Sequence, residues 1–155
     1  MQQETLTVGL GNRAYDIVIG PDLIDRAESI LGPIVAGRHI IIVSDKTVAT
    51  LHLDRLTARL KIAARAIDHF AVAAGESSKS MTVLAKLLDD ILAVGVDRSV
   101  LLIAFGGGVV GDLAGFAAAS LLRGVDFVQI PTSLLAQIDS SVGGKTGVNA
   151  ASGKN

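Results

Sequence analysis

The sequence predicts an α/β fold, a Rossmann-like and mostly parallel sheet with helices on both faces. Four uniformly apolar stretches predict buried strands: His39 to Ser44, Ala66 to Val72, Ser99 to Phe105 and Asp126 to Ile130. Segments with the apolar spacing of helices separate them, and this alternation is typical of βαβ units. Because the crossovers of such units favour parallel strands covered on both sides, we expect a two-faced layer.

The other elements are predicted more weakly. Two further strands are expected near Leu6 to Leu10 and Ala14 to Ile19, and helices near Leu23 to Leu31 and Val48 to Leu60. The clearest helical stripe comprises Met81, Leu84, Leu88 and Ile91. Ser77 or Ser78 can cap the start of that helix, and Gly95 stands where a left-handed turn would end it.

The segment from Gly107 to Leu122 is apolar all round apart from Asp112 and Ser120, as expected of a helix packed on every side. Something must cover its outer face, and we expect a bare face to drive dimerisation. A carboxylate on such a helix is costly to bury alone. Either the N–H groups of the first helical turn or a polar ligand can stabilise Asp112, and the sequence leaves both open.

Composition excludes several classes of protein. Half of the 155 residues are hydrophobic and 3% are aromatic, which argues against a disordered tail and against a stacking surface for nucleic acid. The net charge of −1 creates no overall electrostatic attraction to DNA or to anionic membranes. The sequence has no cysteine, so it can form neither a disulfide nor a thiolate metal site. The longest uncharged run, Ser99 to Gly111, is too short to span a bilayer. We expect a cytoplasmic protein, and the net charge leaves its partner open.

The most specific local feature is the sequence GGGVVGD. Gly106, Gly108 and Gly111 have GxGxxG spacing directly after a predicted strand and at the start of a predicted helix. Glycines at these positions let a backbone approach a pyrophosphate, and free N–H groups at a helix N-terminus favour an anion. A tight strand-to-helix turn with close packing explains the same pattern, and both interpretations stay open here.

Two acidic residues are candidates for a ribose contact. Asp126 has the usual spacing of about 20 positions from the glycines, but it begins its strand, whereas cofactors lie at the carboxyl ends of strands. We therefore interpret Asp126 as structural. Asp45 closes its strand at the carboxyl end, where it can bind a ribose or cap the next helix, with equal support for each.

Three further patterns carry less weight. Gly144, Lys145 and Thr146 resemble the end of a P-loop, but its first glycine would fall at Asp139 and the preceding segment is predicted helical, so an ATPase is rejected. Lys145 still suits a phosphate. Glu76 and Lys79 have the spacing of a solvated surface pair. The histidines lack metal-ligand spacing, and we interpret each as a surface or strand-edge residue.

Taken together, GESSK, GGGVVGD and the run PTSLLAQIDSSVGGKTGVN followed by GKN resemble the 3-dehydroquinate synthases, a family of sugar-phosphate cyclases. The resemblance implies that residues 1–155 are the N-terminal NAD-binding domain. It also implies a C-terminal metal-binding domain that is absent from this chain, because the ligands of the family's zinc or cobalt ion would lie beyond Asn155. The chain alone is then expected to be inactive.

The resemblance also implies a reaction in the shikimate pathway. In that family NAD takes a hydride from a phosphorylated seven-carbon sugar acid, phosphate is eliminated, the hydride returns and the ring closes. Residues implied to contact NAD are Asp45, Glu76, Lys79, Gly107, Gly108, Val109, Asp112, Thr132, Ser133 and Leu135. Residues implied to contact substrate are Asp139, Lys145, Lys154 and Asn155, with Arg123 reaching a phosphate across a homodimer interface.

The chain departs from the family at two positions, with Ser133 where threonine is frequent and Thr47 where asparagine is frequent. The first keeps the hydroxyl, and the second weakens the expected adenosine contacts beside Asp45. Two other functions compete. A glycerol-dehydrogenase-like oxidoreductase shares the glycine motif but not DSSVGGKTGVN, and a non-catalytic nucleotide-binding or self-associating module remains the alternative from another class.

Overall fold

The computed structural model describes residues 2–154. Its strands are β1 (Glu4–Val8), β2 (Tyr15–Ile19), β3 (His39–Asp45), β4 (Ala66–Val72), β5 (Leu101–Gly106), β6 (Asp126–Pro131), β7 (Asn149–Ala150) and β8 (Gly153–Lys154). Its α-helices are α1 (Ala27–Val35), α2 (Lys46–Leu60), α3 (Met81–Ala93) and α4 (Gly108–Ser120). The central sheet is four-stranded and fully parallel in the order β4-β3-β5-β6.

The two faces of this sheet carry separate cores. Side chains alternate along β3, so Ile40 and Ile42 pack with α1 and α2, whereas Ile41 and Val43 pack with α3 and α4. All four side chains are fully buried. The predicted α/β fold with helices on both faces is therefore confirmed.

The two weaker strands form an antiparallel hairpin outside this sheet. They begin and end up to two residues away from the predicted bounds. One face of the hairpin carries apolar side chains, because Leu6 pairs with Ile17 and Val8 with Tyr15. This face comprises Leu6, Val8, Tyr15, Ile17 and Ile19. None of the five is fully buried, so the hairpin leaves an apolar face open.

Helix α1 begins four residues later than predicted. Asp22 has a positive φ of 54°, and the backbone from residue 22 to 27 forms i to i+3 turns instead of helix. Pro33 lies in the last helical turn. The apolar spacing from Leu23 to Leu31 is therefore shared between these turns and the first part of α1.

The ends of α3 confirm one expectation and correct another. Gly95 follows the helix with a φ of +75°, as predicted. The N-cap is Ser80, whose Oγ accepts a hydrogen bond from the Val83 N–H at 3.3 Å. Ser77 and Ser78 instead belong to a 3₁₀ turn, residues Glu76–Ser78, that precedes it.

The chain itself covers the outer face of α4. Thr146 lies against Gly115, the Gly147 N–H donates to the Asp112 carbonyl at 3.3 Å, and Val148 is 1% exposed within the core. We call residues 146–149 the cover segment. It corrects the expectation of a bare α4 face, which no longer provides a reason for dimerisation.

No helix among residues 2–154 is long and apolar enough to cross a membrane.

Candidate functional site

The candidate residues collect at the carboxyl edge of the parallel sheet. The chain runs from β3 outward to β4 and then returns to place β5 on the other side of β3. A crevice at such a reversal of strand order is where open α/β sheets bind ligands. Asp45, Gly107 and Thr132 each follow or end a strand at this edge.

The glycine turn between β5 and α4 forms a cradle. Gly107 is the N-cap of α4, and no side chain caps the helix there. A Cβ on Gly108 would meet the Ser140 Oγ at 3.0 Å, and one on Gly107 would lie 3.6 Å from the Ser133 Oγ. N–H groups that no side chain caps, at the positive end of a helix dipole, fit a diphosphate.

Close packing accounts for the other two glycines of the motif. A Cβ on Gly106 would lie 2.7 Å from the Val110 side chain, and one on Gly111 would lie 2.9 Å from the Gln129 Oε1. The two interpretations of GGGVVGD therefore apply to different positions. Gly106 and Gly111 serve packing and Gly108 lies close to Ser140, whereas Gly107 has room at its Cβ position.

Residues that follow β6 form the neighbouring wall. The Thr132 N–H donates to the Gly106 carbonyl at 3.0 Å, and the Ser133 Oγ accepts from the Ala136 N–H at 3.3 Å. Ala136–Ser140 form a π-helical turn, where the sequence predicted a short helix. Leu135 is 68% exposed beside this turn, and Val109 lies half-buried on α4.

Asp45 caps α2. Its Oδ1 accepts hydrogen bonds from the N–H groups of Thr47 and Val48, at 2.8 and 3.0 Å. This is the capping alternative that the sequence left open. The ribose contact that the resemblance implies stays a prediction.

The buried carboxylate of α4 has a partner that the sequence did not suggest. The Lys79 Nζ donates to the Asp112 Oδ2, and the two side chains are only 13% and 18% exposed. Neither expected explanation of Asp112, helix N–H groups or a ligand, is needed to account for its burial. The interpretation of Glu76 and Lys79 as a solvated surface pair is also wrong for Lys79.

Asn149 joins this group from the cover segment. Its Nδ2 donates to the Glu76 Oε1 at 3.0 Å, and its backbone N–H donates to the Lys79 carbonyl at 2.8 Å. A cleft of about 440 Å³ opens beside Glu76, Lys79 and Asn149. We did not predict Asn149, and its place directly after the buried Val148 was the available signal.

Asp139 and Lys145 form an exposed pair at the same edge. The Lys145 Nζ donates to the Asp139 Oδ1 at 2.6 Å, which raises the pKa of the lysine above its usual value. Gly143 and Gly144, with φ of 88° and 70°, turn the chain between them. Ser140, next to Asp139, faces Gly108, so this pair lies on the side of the glycine turn.

The structure does not bring the predicted residue Arg123 to this group. Arg123 is exposed at the far end of α4, about 20 Å along the helix from the glycine turn. Leu122 and Arg123 both have positive φ, of 48° and 72°. Asn155 and the side chain of Lys154 lie outside the described residues.

At the opposite edge of the sheet, where the strands begin, Asp126 has a structural role. Asp126 forms an ion pair with Arg38 at 2.9 Å, and Arg38 also donates to the carbonyls of Ser99 and Val100. This agrees with the interpretation of Asp126 from its place at the start of β6.

His69 lies on the edge strand β4, as expected, whereas His39 on β3 differs from expectation. His39 is 8% exposed, and its Nε2 lies 2.6 Å from the Asp68 Oδ2. His69 is half-buried, its Nε2 lies 2.8 Å from the Ser44 Oγ, and burial lowers its pKa. His39 is therefore a buried residue and not a surface one. Within residues 2–154, no three potential metal-ligating side chains lie together.

Comparisons with known proteins find this chain similar to 3-dehydroquinate synthases. Residues 69–155 match the family described as "3-dehydroquinate synthase N-terminal". The 3-dehydroquinate synthase of Rhodospirillum rubrum is 57% identical over 155 residues, which cover 100% of this chain and 40% of that protein. The chain thus spans about two fifths of the length of this relative.

Two solved structures share the fold. A 2-deoxy-scyllo-inosose synthase complexed with carbaglucose-6-phosphate, NAD+ and Co2+ has a TM-score of 0.88 and 28% identity, covering 98% of this chain and 41% of that one. A 2-epi-5-epi-valiolone synthase from Streptomyces hygroscopicus with NAD+ and Zn2+ has a TM-score of 0.80 and 34% identity, covering 96% and 41%.

Proposed function

The chain belongs to the 3-dehydroquinate synthase family, and on that premise we propose that it is the NAD-binding part of a 3-dehydroquinate synthase. The proposed reaction converts 3-deoxy-D-arabino-heptulosonate 7-phosphate to 3-dehydroquinate with elimination of phosphate, a lyase step of the cytoplasmic shikimate pathway. The observation that carries the proposal is the open glycine turn at the reversal of strand order, flanked by Lys79–Asp112 and Asp139–Lys145.

NAD, when bound, would supply a reversible oxidation of a secondary hydroxyl of the substrate. The chain's own groups would bind and orient. The N–H groups of Gly107, Gly108 and Val109, at the uncapped start of α4, would bind the diphosphate, whose charge the α4 dipole favours. Thr132, Ser133 and Leu135 would form the neighbouring wall, and Asp45, Glu76, Lys79 and Asp112 complete the proposed NAD contacts.

The substrate would lie on the side of Asp139 and Lys145. Because Lys145 is exposed and its pKa is raised, its ammonium group is charged at neutral pH and available to a phosphate or carboxylate. An anionic substrate would then compete with Asp139 for this ammonium group. Lys154 and Asn155 are proposed to add further polar contacts.

The divalent metal, zinc or cobalt, belongs in this proposal to the part of the relatives that this chain does not match. Both similar structures that contain NAD+ also contain Co2+ or Zn2+. On their own, the 155 residues are proposed to bind NAD weakly and not to turn over substrate. Helix-terminal charge supplies only about 0.3 to 1 kcal/mol, whereas micromolar affinity requires about 8 kcal/mol.

We also propose that the protein is a homodimer. Arg123 lies about 20 Å from the glycine turn of its own chain, so only a second copy could bring it to a substrate phosphate. The open apolar face of the β1–β2 hairpin is available for such an interface.

A chimera tests the proposal. This chain replaces the matching 40% of the Rhodospirillum rubrum relative, and phosphate release from the heptulosonate phosphate is measured with NAD+ and Zn2+ or Co2+. We expect release at a rate near that of the relative. A second chimera with Gly107→Val, whose Cβ would make only an ordinary contact with the Ser133 Oγ at 3.6 Å, fills the turn in front of α4 and should keep its unfolding midpoint and release no phosphate. A folded but inactive first chimera would refute the proposal.

A further inference from the structure

We infer that Asn149 is a positioning residue that holds Glu76 and Lys79 in place for the cofactor. The inference rests on the proposed function, because Glu76 and Lys79 are NAD contacts only by resemblance. It concerns a residue that the resemblance does not assign, and it follows from contacts of the cover segment.

The turn that carries Glu76 and Lys79 needs an anchor. Gly75 enters it with a φ of +105°, and the Ser78 Oγ ties it back to the Ala73 carbonyl at 2.5 Å. These contacts hold the side of the turn nearest β4. The Lys79 carbonyl and the Glu76 carboxylate receive further support from outside the turn.

Asn149 provides that support twice. Its backbone pairs with the strand-like backbone at Ser80 and donates to the Lys79 carbonyl, and its side chain donates to the Glu76 carboxylate. The cover segment is itself fixed, because Val148 is buried and Gly147 donates to the Asp112 carbonyl. Glu76, Lys79 and Asp112 are therefore held by three consecutive residues of one segment.

The side chain of Asn149 is not explained by stability. Its Oδ1 is buried and accepts no hydrogen bond within residues 2–154. Leaving a buried acceptor unpaired is unfavourable, and an apolar side chain of the same shape avoids this cost. Within residues 2–154, the hydrogen bond to Glu76 is the side-chain contact of Asn149 that an apolar residue could not make.

Asn149→Leu separates positioning from folding. The variant keeps the volume and the backbone contacts, removes the unpaired acceptor and removes the donor to Glu76. We expect an unchanged or higher urea midpoint and a dissociation constant for NAD+ about tenfold higher, since a hydrogen bond to a charged group contributes about that factor. Loss of stability and affinity together would show a merely structural role and overturn the inference.

Thr82→Leu is the matched control. Thr82 lines the same cleft from α3. The Thr82→Leu variant adds apolar surface to the cleft and keeps the Asn149 hydrogen bond to Glu76, so NAD+ affinity should not change. An equal loss of affinity in this control would attribute the effect to the polarity of the cleft and refute positioning.

A ligand-free measurement distinguishes this inference from the proposed function. Carbon-13 relaxation of the Glu76 side chain should show greater mobility in Asn149→Leu than in the wild-type chain or in Thr82→Leu. If the wild-type chain binds no NAD+ but Glu76 loosens as expected, the proposed function fails and the positioning contact stands. If Glu76 stays ordered in Asn149→Leu, the inference is wrong whatever the affinity.

Discussion

Replacing Gly115 with alanine should destabilise the chain, although the same change stabilises most helices. A Cβ at this position would lie 2.3 Å from the Thr146 Cγ2 and 3.1 Å from the Phe127 Cζ. Alanine in the middle of a helix is favoured over glycine by about 1 kcal/mol. The sign of the result therefore depends on how tightly the cover segment packs on α4.

Two responses to the added methyl group are possible. The cover segment can stay and strain its neighbours, which costs about 1 to 3 kcal/mol. Alternatively it can detach, which exposes Val148 at about 2 kcal/mol and breaks the hydrogen bonds to Asp112 and Lys79 at about 1 kcal/mol each. The first response is cheaper, so after the gain in helix propensity we expect a net loss of about 1 kcal/mol.

Urea unfolding of four chains tests this reasoning. Ala85→Gly is the matched control, because Ala85 is exposed in the middle of α3, and it should destabilise by about 1 kcal/mol through helix propensity alone. Adding Thr146→Ser to Gly115→Ala removes the clashing Cγ2 and should restore the stability. The reasoning is refuted if Gly115→Ala stabilises by as much as Ala85→Gly destabilises, or if Thr146→Ser restores nothing.

Three further predictions concern stability. Burial lowers the pKa of His69 below 6.5. As the pH falls, the unfolded chain therefore takes up a proton before the folded chain does, and stability decreases below about pH 6.5. His69→Gln should reduce the difference between the urea midpoints measured at about pH 5.5 and 7.5. Arg123→Gly should relieve the positive φ and stabilise by about 1 kcal/mol, a rise of about 3 °C in Tm by calorimetry; an unchanged Tm would contradict strain at this turn. Lys79→Met leaves the Asp112 carboxylate unpaired and should lower the free energy of unfolding in urea by about 3 kcal/mol. The double variant Lys79→Met with Asp112→Leu should recover most of that stability. A double variant no more stable than the single one would show that the ion pair is not the cause.

The central sheet was predictable because its strands are covered on both faces. Such strands appear as continuous apolar runs, and β3 and β4 begin where the sequence predicted them. The start of α1 was not predictable, since it depends on a positive φ at Asp22 that apolar spacing does not reveal. The hairpin was imprecise because one of its faces is open, which weakens the pattern that defines a strand.

The edge that carries the candidate site was also predictable, but its internal contacts were not. Parallel strands place their carboxyl ends together, which brings Asp45 and the glycine turn to one edge. The partner of Asp112 lies 33 positions away, and that of Glu76 lies 73 positions away. Sequence spacing describes neighbours on one helix, and Glu76 lies on a 3₁₀ turn, so the i, i+3 interpretation chose the wrong partner for Lys79.

The cover segment connects the two halves of the candidate site. Lys145, on the proposed substrate side, precedes Gly147 by two residues, and Gly147 and Asn149 bond the backbone at Asp112 and Lys79 on the proposed cofactor side. Val148 anchors the segment between them in the core of the sheet. Residues 145–149 thus contain the lysine proposed to bind substrate, the buried Val148 and the two residues that contact the cofactor side. A movement of the proposed substrate side would therefore strain the proposed cofactor side, and the reverse. The same packing that hides α4 therefore fixes the distance between the two proposed ligands.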